Sequence, residues 1–161
     1  MKAKEIMQRK LITVPPDMLV TELAELFSSR GISGAPVVDL GRPIGVVSMT
    51  DIANTAGMQG EMLPHAARPH YYRDVWMEEE EFDGFSIGEV DSRTVADIMT
   101  PAVYQADENS PVEDLVEIML EAKIHRVIIT HNDKAVGIVT TTDLIRLLPK
   151  LLKGKAGAAQ S

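Results

Sequence analysis

Displaced by 92 positions, the chain matches itself. Ile6-Met7 falls on Ile98-Met99, Val20 on Val112, Leu23 on Leu115, Glu25 on Glu117 and Ile32 on Ile124. Gly45 then meets Gly137, Val47 meets Val139, and Thr50-Asp51 meet Thr142-Asp143, with no gap across residues 6 to 52. Two apolar stretches align by chance; Gly, Thr and Asp coinciding in the same register do not. The chain therefore holds two copies of one unit. The expected division is 1–55 for the first copy, 56–91 for an insertion, 92–150 for the second copy and 151–161 for a flexible, frayed basic tail. A unit of about 50 residues buries too little surface to be secure alone, which is a physical reason for the copies to pair.

Each copy reads as β-α-β-β-α, an α+β arrangement. In the first, Asp17 is the expected N-cap of a helix with Val20, Leu23, Ala24 and Phe27 on one face. In the second, Ser110 is expected to cap and Pro111 to stand at the first helical position, with Val112, Leu115, Val116 and Met119 forming the stripe. Two β-rich runs follow in each copy, 35–38 and 44–47, then 127–130 and 136–139. The turn segments Asp39-Leu40-Gly41-Arg42-Pro43 and His131-Asn132-Asp133-Lys134 join them into hairpins. Ser48-Met49-Thr50-Asp51 and Thr140-Thr141-Thr142-Asp143 open a closing helix, which Pro149 is expected to end in the second copy. Each copy is expected to form a three-stranded sheet with one apolar face, and the two faces can be buried sheet to sheet.

Composition narrows the function classes. Apolar residues make up 45% and charged residues 25% of the 161, which are globular values, and no apolar run approaches membrane-spanning length. The charged start Met1-Lys2-Ala3-Lys4-Glu5 leads into no signal-type segment, so a cytoplasmic location is expected. Sixteen basic against twenty-four acidic residues give a net charge of −8, unsuited to nucleic acid or anionic lipid. The absence of cysteine removes disulfides, thiolate nucleophiles and cysteine-ligated zinc. With no Gly-x-Ser-x-Gly, no P-loop and four scattered histidines, no catalytic constellation is visible and none is expected.

The segments Gly-Val-Val-Ser-Met-Thr-Asp (45–51) and Gly-Ile-Val-Thr-Thr-Thr-Asp (137–143) resemble the G-h-h-[ST]-x-x-D signature that closes a CBS domain. Val-Val-Asp before the first turn and Asp-Ile-Met-Thr-Pro (97–101) strengthen the likeness, which covers the chain outside the insertion and the tail. The whole resembles a tandem CBS pair, or Bateman module, of the adenine-nucleotide-sensing kind found in the gamma subunit of AMP-activated protein kinase.

The signature has a chemistry of its own. A carboxylate in the first turn of a helix can accept two hydrogen bonds from a vicinal diol such as a ribose. The hydroxyls of Thr140 and Thr142, or Ser48 and Thr50, stand at the helix entrance, where exposed N–H groups and the dipole favour phosphate oxygens. A plainer reading has Thr50 and Thr142 capping helices, with Asp51 and Asp143 favourably placed in the first turn. The doubled hydroxyl-x-hydroxyl-acid cluster favours binding, more firmly at Asp143 than at Asp51.

The resemblance implies two composite clefts. For the stronger it assigns Ile138, Thr140, Thr142 and Asp143, with His125 and Arg126 toward phosphate, and Ile12, Ile32, Ser33 and Gly34 toward the base. For the weaker it assigns Val46, Ser48, Thr50 and Asp51, with Tyr104 and Ile124. At the 92 offset His125-Arg126 correspond to Ser33-Gly34, so the cations serve one cleft only. The alternative for these two residues is a solvated strand edge. The implied ligand is AMP, ADP or ATP, or a related adenosyl compound, with no required cofactor and no metal. The resemblance also implies a homodimer. With no effector domain visible, output is expected through self-association or a separate effector protein.

Five of the seven aromatic residues lie in the insertion: Tyr71, Tyr72, Trp76, Phe82 and Phe85. A short helix near 71–80 docking on its own chain is one reading, and a partner or dimer surface is the other. The pair His65 and His70 lacks a third metal ligand, and Glu78-Glu79-Glu80-Glu81 reads as a solvated acidic face. Arg68 and Arg73 could reach a bound phosphate, though nothing in the spacing requires it. The competing function class is a scaffold with empty clefts, acting through residues 71–85.

Overall fold

A computed structural model describes residues 1–55, 92–149 and 152 of the chain. The elements run α1 (Ala3–Ile6), α2 (Val20–Arg30), β1 (Gly34–Asp39), β2 (Arg42–Ser48), α3 (Met49–Thr55), α4 (Val95–Ile98), β3 (Gln105–Asp107), α5 (Val112–Ala122), β4 (Arg126–His131), β5 (Lys134–Thr140) and α6 (Thr141–Ile145). The class is α+β, and the two copies carry the same order of helices and hairpins.

The long helices form where the apolar spacing predicts, with Val20, Leu23 and Phe27 of α2 and Leu115 and Met119 of α5 buried. Their starts differ from expectation. Asp17 does not cap α2: the Met18 N–H donates to the Pro15 carbonyl, so Asp17 lies inside a turn. Leu19 takes the N-cap position instead, and the Glu22 carboxylate accepts its N–H at 3.0 Å. In α5, Pro111 occupies the N-cap rather than the first helical position, leaving Ser110 outside, because Pro111 keeps an extended ψ of 147° and bridges to Lys2. The closing helix α6 stops at Ile145, before Pro149, where the Leu147 N–H reaches back only to Leu144; Leu148 and Pro149 are helical again.

Two compact units emerge. Unit 1 comprises Met1–Leu11, Tyr104–Asn132 and Val136–Ser161; unit 2 comprises Ile12–Val103 and Asp133–Ala135. The short helix that opens each copy thus belongs with the body of the other copy. In unit 1 the Ala3 and Lys4 N–H groups donate to the Ser110 and Glu108 carbonyls, both at 2.9 Å. In unit 2 the Val95 and Ala96 N–H groups donate to Met18 and Pro16, at 2.8 and 2.9 Å. These bonds correspond residue for residue at the 92 offset. Ala3 and Val95 are both fully buried at equivalent positions.

Unit 1 holds a three-stranded sheet in the order β3-β4-β5, with β3 parallel to β4 from Gln105↔Ile128 to Asp107↔Thr130. Unit 2 departs from the expected three strands. Its sheet has β1 and β2 only, and the third strand shrinks to a single parallel bridge, Val14↔Val37. Proline is the reason. In unit 1 the Glu108 N–H donates to Thr130 at 2.8 Å; at the equivalent position Pro16 has no N–H to give. Both hairpins turn through two residues of positive φ, Leu40-Gly41 and Asn132-Asp133, as tight right-twisted hairpins require. After β3, the backbone N–H and then the side-chain amide of Asn109 donate to Asp107, holding that carboxyl below the ordinary aspartate value. The core of unit 2 gathers Val14, Val20, Leu23, Phe27, Ala35, Val37, Val47, Ile52 and Val95.

Candidate functional site

The acid of the second signature sits at the start of α6, and only 7% of it is exposed. Thr140 is the N-cap, and its Oγ1 accepts the Asp143 N–H at 3.3 Å. Asp143 Oδ2 in return accepts the Thr140 N–H at 2.9 Å and the Thr140 hydroxyl at 2.7 Å. The Gln8 amide nitrogen donates to both carboxylate oxygens, at 2.9 Å to Oδ1 and 3.2 Å to Oδ2. The Arg146 guanidinium stands 3.7 Å from Oδ1. The Thr141 N–H donates to the His125 carbonyl at 2.9 Å, which brings His125-Arg126 beside the helix entrance. Arg126 is half-buried, with its Nε out of solvent. Ile138 lies nearly buried on β5, and Thr142 is exposed in the first turn of α6.

Unit 2 repeats the corner with variations. Asp51 Oδ2 accepts the Ser48 N–H at 2.7 Å and the Ser48 hydroxyl at 2.9 Å. The Met49 N–H donates to the Ser33 carbonyl, and Gly34 pairs with Ser48 across β1 and β2. Asp51 and Thr50 are half-buried. The helix entrances are therefore formed by Ser48 and Thr140, and the plainer reading in which Thr50 and Thr142 cap is corrected.

The remaining residues scatter. Ile12 is half-buried, and Ile32 packs against the unit 2 core while donating its N–H to Phe27. Val46 and Ile124, 1% and 2% exposed, are interior side chains. Tyr104 gives its carbonyl to the Ile128 N–H. Unit 1 thus assembles His125, Arg126, Ile138, Thr140, Thr142 and Asp143, and unit 2 assembles Ser33, Gly34, Ser48, Thr50 and Asp51. Each set implied by the resemblance has members in both units.

Sequence reasoning missed Gln8. Its signal was available: directly after the matched Ile6-Met7 and Ile98-Met99, the copies diverge to Gln8 and Thr100. Among the described residues, no group of three His, Asp or Glu could hold a metal ion. His65, Arg68, His70, Arg73, the run 78–81 and the aromatic residues of 71–85 lie outside the described residues, as does the tail apart from Leu152. No described helix is long and apolar enough to cross a membrane.

A family model described as the CBS domain matches twice, over residues 3–56 and 95–150. The chain belongs to the CBS-domain family. As a tandem CBS pair it is 27% identical over 148 residues to the uncharacterized protein MJ1232 of Methanocaldococcus jannaschii, covering 91% of this chain and 39% of that relative. The chain thus spans well under half the length of that relative. Among solved structures, it resembles the CBS domain pair of MJ0100 in complex with 5′-methylthioadenosine and S-adenosyl-L-methionine, at 23% identity and a TM-score of 0.61 over 93% of this chain and 97% of that one. It also resembles CBSX2 in complex with AMP, at 22% identity and a TM-score of 0.63 over the same shares of the two chains. At these identities the likeness establishes the CBS-pair fold.

Proposed function

We propose that this CBS pair is a non-catalytic regulatory module that binds an adenine nucleotide or a related adenosyl compound, with Asp143 receiving the ribose hydroxyls. The observation that carries the reading is the fixed carboxylate. Thr140 holds Oδ2 through two bonds, so Oδ1 is presented in one orientation at a helix entrance flanked by His125-Arg126. A preoriented acceptor at a helix entrance, with the His125-Arg126 segment bonded to that entrance, suits a sugar that carries phosphate or another polar 5′ group. AMP in one structural relative and two adenosyl compounds in another support the ligand class. In this reading Asp51, with Ser48 and Thr50, is the weaker second site. Any output is bounded by the ligand's differential affinity for two conformations. It passes through a homodimer contact or a separate effector protein in the cytoplasm.

One observation favours the scaffold alternative: the Asp143 carboxylate is already hydrogen-bonded within the chain, by Thr140 and Gln8. A thermal-shift series decides between the two. AMP, ADP, ATP and S-adenosylmethionine are each added at about a hundredfold excess over the dissociation constant, where binding adds about 2.7 kcal/mol. At least one is expected to raise the Tm by about 5 °C or more. Asp143→Asn, which keeps an acceptor for the Thr140 N–H, is expected to remove that rise. If none of the four moves the wild-type Tm, the scaffold reading replaces this one.

A further inference from the structure

We propose that the Gln8 side chain is the internal occupant of the Asp143 sugar site, and that its amide must leave before a ligand diol can bind. The inference rests on the function proposed above and adds the residue that governs affinity there. A carboxylate offers about four lone-pair positions. Thr140 takes two through its N–H and hydroxyl. The two that remain are on Oδ1, where the Gln8 amide nitrogen donates at 2.9 Å while lying 3.2 Å from Oδ2. A vicinal diol brings two donors to this carboxylate and needs Oδ1, so it and Gln8 compete for the same acceptor.

Departure of the amide needs only a side-chain rotation. Gln8 is an exposed residue, and its backbone is held independently of its side chain by an exchange of two hydrogen bonds with Ile138, at 2.9 and 3.1 Å. At the equivalent position the other copy carries Thr100, whose shorter side chain ends in one hydroxyl and has no amide to bridge two oxygens. From this position, an amide is therefore offered to the Asp143 corner and not to its counterpart.

Isothermal calorimetry of the full chain with AMP and with S-adenosylmethionine tests this. Gln8→Ala removes the competitor, and Gln8→Thr installs the residue that the fold already accepts at position 100. Whichever probe binds the wild type is expected to bind both variants about tenfold more tightly. Equal or weaker affinity in both variants overturns the proposal while leaving the ligand reading intact. Failure of wild type and variants alike to bind either probe removes the ligand reading, and this inference with it.

Discussion

Lys123 ends α5 at a φ of 51°, the conformation in which Gly31 ends α2 at 61°. In both, the N–H of the terminal residue returns to carbonyls of the last turn, but a β-carbon makes the left-handed region costly for lysine. Lys123 is exposed, so little packing is lost on replacement. Lys123→Gly is expected to stabilise the chain by about 0.5–1 kcal/mol in urea unfolding; an unchanged or lower stability would show that lysine carries no strain there. Asp143 pairs with Thr140 in the cap of its helix and is also the proposed ribose acceptor. The sequence displayed its hydroxyl-acid spacing but pointed to Thr142 as the cap, where the structure has Thr140. It could not display that the amide of Gln8, 135 positions away in the chain, closes over the same carboxylate.

The glycines that open the two signatures, Gly45 and Gly137, are explained by the elements laid against them. Neither needs an unusual φ; both need room. A β-carbon on Gly137 would stand 2.8 Å from Met7 Sδ and 2.9 Å from the Gln8 carbonyl oxygen, and one on Gly45 would stand 2.7 Å from the Thr100 carbonyl oxygen. The Met side chain can yield, but the backbone carbonyls cannot move without breaking the paired bonds to Ile138 and Val46. Gly137→Ala is accordingly expected to lower stability by about 1–3 kcal/mol, read as a fall in the denaturant midpoint. A neutral result would mean that the segment after α1 is not docked on β5. The helices and hairpins were legible because apolar periodicity and turn residues are local signals. The starts of α2 and α5 were not, because a turn at Pro15–Met18 and a bridge from Lys2 to Pro111 shift them. The missing third strand of unit 2 could have been read from Pro15-Pro16.

At the scale of the molecule, self-similarity identified two copies but not which body each opening segment joins. Unit 1 takes residues 1–11 and unit 2 takes the segment around α4, an exchange decided by backbone bonds to distant partners such as Glu108 and Pro16. The consequence for function is that Gln8, from the beginning of the chain, shares a unit with Asp143 near its end. A ligand that displaces the Gln8 amide would therefore act within unit 1, on the segment that carries α1. All of this depends on Asp143 accepting a sugar diol. Calorimetric titration of the wild-type chain with AMP, 2′-deoxy-AMP and 3′-deoxy-AMP tests it most directly. Loss of either hydroxyl is expected to weaken binding about tenfold, whereas equal affinity for the three nucleotides would contradict the assignment of Asp143 to the ribose.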